Sequence, residues 1–252
     1  MYFKFLELLL KQRLAYRLDF IFSFSSVLLW SLAAPLFMLL VYNAGATYPG
    51  WSVYELLIFL GIYNIMVGLG NTLFFEFFVK VIEKVRSGEL ELILIKPVDE
   101  LYLLLSESFE YVGLGDIVTG TALLIIGATQ TSLEVNFLLL IIYMLAGVSL
   151  LLSAILFISS TAIKNVRVNR LMELIHTTLQ FSEYPKNMFP RTMQVSFGIF
   201  IPLFLLSYYP ASALLGFNVE HGFYAILASY LILIISIFYW KRTLKNYVGA
   251  GG

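Results

Sequence analysis

Six apolar stretches, each close to the length that crosses a bilayer, constrain this chain more than any other feature of it. They run roughly over residues 20–42, 54–79, 111–129, 137–163, 193–215 and 223–240. A helix spanning hydrocarbon needs about 20 predominantly apolar residues, because lipid offers no partner to an open backbone N–H or C=O and the helix satisfies these groups internally. With 60% hydrophobic and 13% charged residues and a mean hydropathy of +0.87, a soluble domain would expose more apolar surface than water tolerates. The pattern predicts an all-α, polytopic membrane protein with six transmembrane helices. The connections are too short to hold a folded soluble domain, so 1–252 reads as one membrane domain.

Basic residues alternate between connections. Lys4, Lys11, Arg13 and Arg17 precede the first stretch; Lys80, Lys84, Arg86 and Lys96 follow the second; Lys164, Arg167, Arg170, Lys186 and Arg191 separate the fourth and fifth; Lys241, Arg242 and Lys245 follow the sixth. The connections NAGATYPGWSV, QTSLEVN and GFNVEHG carry none. Basic residues flanking spans are retained in the cytoplasm, so both termini are expected there and the three basic-free loops outside. The triplet Ala44-Gly45-Ala46 has the small-x-small form of a signal-peptide cleavage site, but the apolar run before it exceeds the about 7–15 residues of a signal core.

The 16 basic and 16 acidic residues cancel, leaving no footprint for nucleic acid as a partner. No cysteine is present, which removes disulfides and thiolate metal sites, and His176 and His221 are too few for a multi-histidine centre.

Two segments outside the spans carry pattern. Over 1–19, Tyr2, Phe3, Phe5, Leu6, Leu9, Leu10 and Leu14 fall on one helical face, with Lys4, Glu7, Lys11 and Gln12 opposite. This predicts an amphipathic interfacial helix, its basic residues suited to anionic headgroups of the membrane lipid. A simple lipid anchor and a protein-docking helix are equally served by it. Over 80–110 charge is densest. The second span is expected to run on through Lys80, Lys84 and Arg86 until Ser87-Gly88 stops it, ELELILI mixes acid and aliphatic residues, and Lys96-Pro97 is expected to start a new helix, with Asp99 and Glu100 near its positive end and Val98, Leu101, Leu105, Phe109 and Val112 as its apolar stripe. The result is a stiff charged knuckle rather than a plain loop.

Catalytic patterns fail on inspection. GDIVTGTA, 115–122, has the glycine spacing of a phosphate loop but holds Thr121 and Ala122 where lysine and a hydroxyl are needed, so its glycines read as close helix contacts. Gly147-Val148-Ser149 lacks a histidine base in any expected span. No catalytic, cofactor-binding or metal site is expected in this chain. The pairs Gly68/Thr72 and Ser149/Ser153 read as packing within the chain rather than a dimer seam. Asp116, buried early in the third stretch, is a candidate conformational or substrate contact. Ionisable residues are otherwise scarce at midplane, so an energy source outside the chain is expected.

SGELELILIKPVDEL, 87–101, resembles the loop after the second span in permease subunits of type-2 ATP-binding-cassette (ABC) exporters, with Glu91 where aspartate is common. EYPKNMFPRTMQVSFGIFIPLFLLSYYPASALLG, 183–216, resembles that family's later segment. The resemblance implies a multi-pass permease half in a prokaryotic inner or plasma membrane, paired with itself or a related permease. It implies outward transport by alternating access, driven by separate cytoplasmic ABC ATPase subunits that bind ATP and magnesium. It implies a coupling role for Arg86, Gly88, Glu89, Leu90, Glu91, Leu92, Leu94, Lys96 and Pro97. Without the resemblance, a non-transporting scaffold or assembly factor that recruits a cytoplasmic partner fits the same knuckle. The family's later segment holds re-entrant helices on the outer side, yet Arg167, Arg170, Glu173 and His176 make 166–181 a poor lipid-facing helix. Residues 164–192 are therefore expected as a second cytoplasmic connection, unless these polar groups face a bundle interior.

Overall fold

The computed structural model describes residues 17–45, 48–164 and 169–247. The expected interfacial helix lies outside the described residues except for its last three positions, which already belong to the first helix. Every regular element among the described residues is helical. Four helical segments are long and apolar enough to cross a membrane: Phe20–Asn43, Val53–Ser87, Phe137–Lys164 and Gly222–Lys245. The first comprises α1 (Arg17–Ser31) and α2 (Ala33–Asn43). The second comprises α3 (Val53–Gly70), a π turn (Asn71–Phe75) and α4 (Glu76–Ser87). The knuckle contributes the short α5 (Glu89–Leu94) and α6 (Glu100–Glu107). A shorter apolar helix, α7 (Leu114–Gln130), occupies the expected third stretch, and α8 (Phe137–Lys164) the fourth.

Local chemistry sets the ends of the long second helix. Ser52 closes a capping box at its start: its hydroxyl accepts from the Glu55 N–H at 3.3 Å, while Glu55 accepts from the Ser52 N–H at 2.7 Å. Gly88 stops it in the left-handed region at φ 76°, where a side chain would be strained. At 1.5 Å per residue, α4 carries the chain about 18 Å beyond the π turn. The π turn has a tertiary cause. The Glu110 N–H donates to the Thr72 carbonyl at 3.0 Å, competing with the helix's own ladder there.

Glycines let α7 lie almost backbone to backbone on α3. A Cβ on Gly120 would fall 2.5 Å from the Gly61 carbonyl oxygen, and one on Gly68 2.7 Å from that of Gly113. The Gly68/Thr72 pair thus packs within the chain, as the sequence suggests. Ser149, whose hydroxyl sits 2.5 Å from that of Ser229, joins α8 to α12 (Gly222–Lys245) in the same way.

Between α8 and α12 the chain departs from the six-span expectation. The stretch 193–215 is not one helix. It forms α10 (Arg191–Val195), a π turn (Ser196–Phe200), a 3-10 turn (Leu203–Leu206) and α11 (Tyr208–Leu215). Pro202, which lacks an N–H, breaks it. The backbone freed by the break is met inside the protein: the Ser207 hydroxyl donates to the Ser182 carbonyl at 2.6 Å, and the Ser182 hydroxyl to the Leu203 carbonyl at 3.1 Å. Irregular backbone at membrane depth needs such partners. The segment begins and ends at one end of the bundle. Arg191 pairs with Glu220 at 3.6 Å, and the Asn136 N–H donates to the Ala213 carbonyl at 2.8 Å. Between these points Leu205 dips to Gly147, which a Cβ would bring to 2.8 Å from the Leu205 carbonyl oxygen. Phe189, Phe197 and Phe204 hold the hairpin closed, with Phe189 ring centres 5.8 and 6.0 Å from the other two.

The expectation that 164–192 lies wholly at the basic end is corrected by the same geometry. Helix α9 (Asn169–Gln180) leads away from the end of α8, and the Asn187 side-chain amide reaches the Pro49 carbonyl at 3.4 Å, beside the capped start of α3. The physical reason is that this polar segment borders a partly open cavity between the helices, with Glu183 half-buried and His176 and Gln180 at its exposed edge. Lys186 and Arg191 therefore lie with the loops otherwise free of basic residues, where Lys186 also stacks over Tyr208 at 5.7 Å. In this cysteine-free chain, single cysteines at Ser52, Asn187 and Asn218 should react with an impermeant thiol reagent from one side of the membrane, and those at Ser87 and Asn246 from the other. Asn187 labelling together with Ser87 would reject the re-entrant path.

Candidate functional site

Two regions gather the candidate residues, the knuckle at the basic end and a cavity within the bundle. In the knuckle, α4, α5 and α6 fold onto one another around Val81, Leu90, Ile93 and Leu104, all buried. Leu90 and Ile93 are three apart on one helical turn, so both face inward. Lys84 ties the unit together, bonded to Glu107 on α6 at 3.1 Å and lying 3.9 Å from Glu89. Asp99 caps α6 through the Tyr102 N–H at 2.9 Å. Helix α6 therefore begins at Glu100, three residues after Pro97, and it ends before Phe109 and Val112, so the stripe expected from Val98 to Val112 does not form one face.

These contacts divide the expected coupling residues. Arg86, Glu89, Glu91, Lys96 and Pro97 are exposed. Gly88 supplies the turn. Leu92 is 58% exposed and Leu94 38%, whereas Leu90 is fully buried in the chain's own core and cannot be an outward anchor. The sequence reading missed Ile95, at 79% the most exposed large aliphatic residue of the knuckle, together with Tyr102. The signal for Ile95 was the three-residue offset that pairs it with Leu92 on the face opposite Leu90 and Ile93. The knuckle thus presents an aliphatic strip edged by Glu91 and Lys96.

The cavity, about 220 Å3, is walled by α1 to α3, the first π turn, α7, α8 and α9. The π turn places Asn71 so that its amide donates to Asp116 at 3.1 Å, and turns Phe74 and Phe75 into the wall. Asp116 is only 8% exposed, as its sequence position suggested. Across the cavity Glu183 lies by the Tyr63 hydroxyl, and the His176 ring tilts on Phe75 with centres 5.1 Å apart. Asn64 donates to the Ser31 carbonyl at 3.0 Å, joining α3 to the α1–α2 break. Glu183 and His176 were not singled out for this place, because their segment was expected at the basic end. Among the described residues no group of three or more metal-ligating side chains assembles. Ser149 bonds to Ser229 and to the Ala146 carbonyl, an arrangement of packing rather than of a nucleophile.

The chain matches, over residues 28–251, the family model described as ABC-2 family transporter protein. No curated protein and no solved structure matches it.

Proposed function

Given that the chain belongs to the ABC-2 transporter family, we propose that it is the membrane-spanning half of an ABC exporter, with the knuckle as its contact to a cytoplasmic ATPase. Membership and four apolar spans make it a multi-pass membrane transport protein. The knuckle carries the finer reading. It projects beyond the membrane-length part of the second helix, is braced internally by Lys84 and Leu90, and still leaves Leu92, Leu94 and Ile95 exposed together. A loop with no partner gains nothing by holding that strip rigid in water; aliphatic contacts for affinity and flanking charges for register suit a protein groove.

In this reading the basic end is cytoplasmic and two permease halves, identical or related, pair with two ATPase subunits holding ATP and magnesium. Because α4 continues directly from the π turn that lines the cavity, movement at the knuckle is passed to the cavity wall without a flexible joint beyond Phe75. The test is co-purification with a stand-alone ABC ATPase encoded beside this chain. Glu89→Lys with Glu91→Lys should weaken association in a salt-dependent way, by about 1 kcal/mol or less per exposed charge. Undiminished association after replacing 88–95 by a glycine-serine linker would shift docking away from the knuckle; an ATPase that binds but drives no transport would favour a scaffold.

A further inference from the structure

The cavity has a charge character that coupling does not explain. Its wall includes two carboxylates, Asp116 and Glu183, and among the described lining residues no lysine or arginine. Asp116 accepts from a neutral amide, that of Asn71, and Glu183 lies by the Tyr63 hydroxyl, so among the described lining residues only His176 can take a positive charge to set against the two acids. Leaving such charge unpaired away from water is expensive, and a polar group kept at that cost in a membrane segment marks a ligand path more often than a packing role. Apart from Ser31, Asn64, His176 and Gln180 the rest of the wall is aromatic or aliphatic, with Trp30, Phe74 and Phe75 offering ring faces to an apolar or cationic guest. The volume is below the about 300–1,000 Å3 common for drug-sized sites, so the guest is small.

We propose that this cavity binds a small amphipathic organic cation, its charge facing Asp116 and Glu183 and its apolar body against Trp30, Phe74 and Phe75. That the guest is a cargo rests on the transporter reading; that it binds does not. Cation selectivity follows from the two acids, while the aromatic wall binds neutral and charged guests of the same shape.

The full-length chain, carrying Ala154→Cys on the cavity wall, allows the test without ATPase or ATP. The rate of thiol modification is measured against phenyltrimethylammonium, N,N-dimethylaniline at pH 8 and benzenesulfonate, which share one ring and differ in charge. The cation should protect at a concentration about tenfold lower than the neutral amine, and the sulfonate should not protect. Asp116→Asn with Glu183→Gln keeps the hydrogen-bonding shapes and should abolish the cation's advantage while dimethylaniline protects as before. Equal protection by cation and neutral amine, protection by none, or an advantage that survives neutralisation would overturn the proposal. Should the double variant fail to fold, the charge series on the otherwise unaltered chain decides. An ATPase that never associates would overturn the coupling assignment and leave this result intact.

Discussion

Replacing Gly120 with leucine should cost this chain its folded state. A single Cβ there would already stand 2.5 Å from the Gly61 carbonyl oxygen and 2.8 Å from the Ile65 nitrogen, and both are backbone atoms that cannot step aside as a side chain tip would. Helices α3 and α7 would have to separate along their length, losing the matching contacts at Gly68 against Gly113 and Gly127 against Tyr54. In lipid no hydrophobic effect drives helices together, so close van der Waals packing of small residues carries the association. Overpacking costs about 1–3 kcal/mol in a yielding core and more where backbone must move. Thermal unfolding in detergent should show the Gly120→Leu chain aggregated or melting far below the parent. A well-folded monomer that merely stops associating with a second copy would instead place this ridge at a dimer seam.

Placing glutamate at both Leu92 and Ile95 should remove ATPase association while leaving the fold intact. Both side chains face outward, so the change does not touch the Val81–Leu90–Ile93–Leu104 cluster. Buried aliphatic anchors of interfaces are worth about 2 kcal/mol each, so their loss weakens binding by at least about thirtyfold. Leu90→Ala behaves differently: it removes a fully buried side chain and should destabilise the knuckle itself by about 2–5 kcal/mol. Thermal unfolding alongside ATPase pull-down separates the two. Loss of fold in the Leu92/Ile95 variant, or full binding by it, would place the anchors elsewhere.

Much of this architecture is written locally. The run from Val53 to Ser87 announces itself by apolar length, by Ser52 and Glu55 at its start and by Gly88 at its stop. The glycines of 113–127 signal close packing because little else favours them in a membrane helix. The re-entrant path is not local. Composition over 193–215 is as apolar as a span, and only Pro202 and Pro210 hint at a break. What completes the turn is Ser182 and Ser207 satisfying its backbone, a tertiary match invisible to a hydropathy window. For 169–183 the difference ran the other way: polarity argued against membrane depth, but this segment borders a partly open cavity between the helices, where His176, Gln180 and Glu183 find a polar surround. Asp116 was legible because a carboxylate in an apolar run is rare; its tie to Asn71 was not, because the π turn that aims Asn71 depends on Glu110 at the far end of the knuckle. In ELELILI, alternating acids and leucines show no period that separates Leu90 from Leu92, and only the side on which α4 lies decides which of them is covered.

Vanadate-sensitive ATP hydrolysis in lipid, measured with the partner ATPase alone, with this chain, and with its Leu92→Glu/Ile95→Glu form, tests the coupling claim most directly. The intact chain should change the hydrolysis rate and the altered one should return it to that of the isolated ATPase. A rate indifferent to the chain, or one that responds equally to both forms, would contradict the assignment of the knuckle as the coupling element.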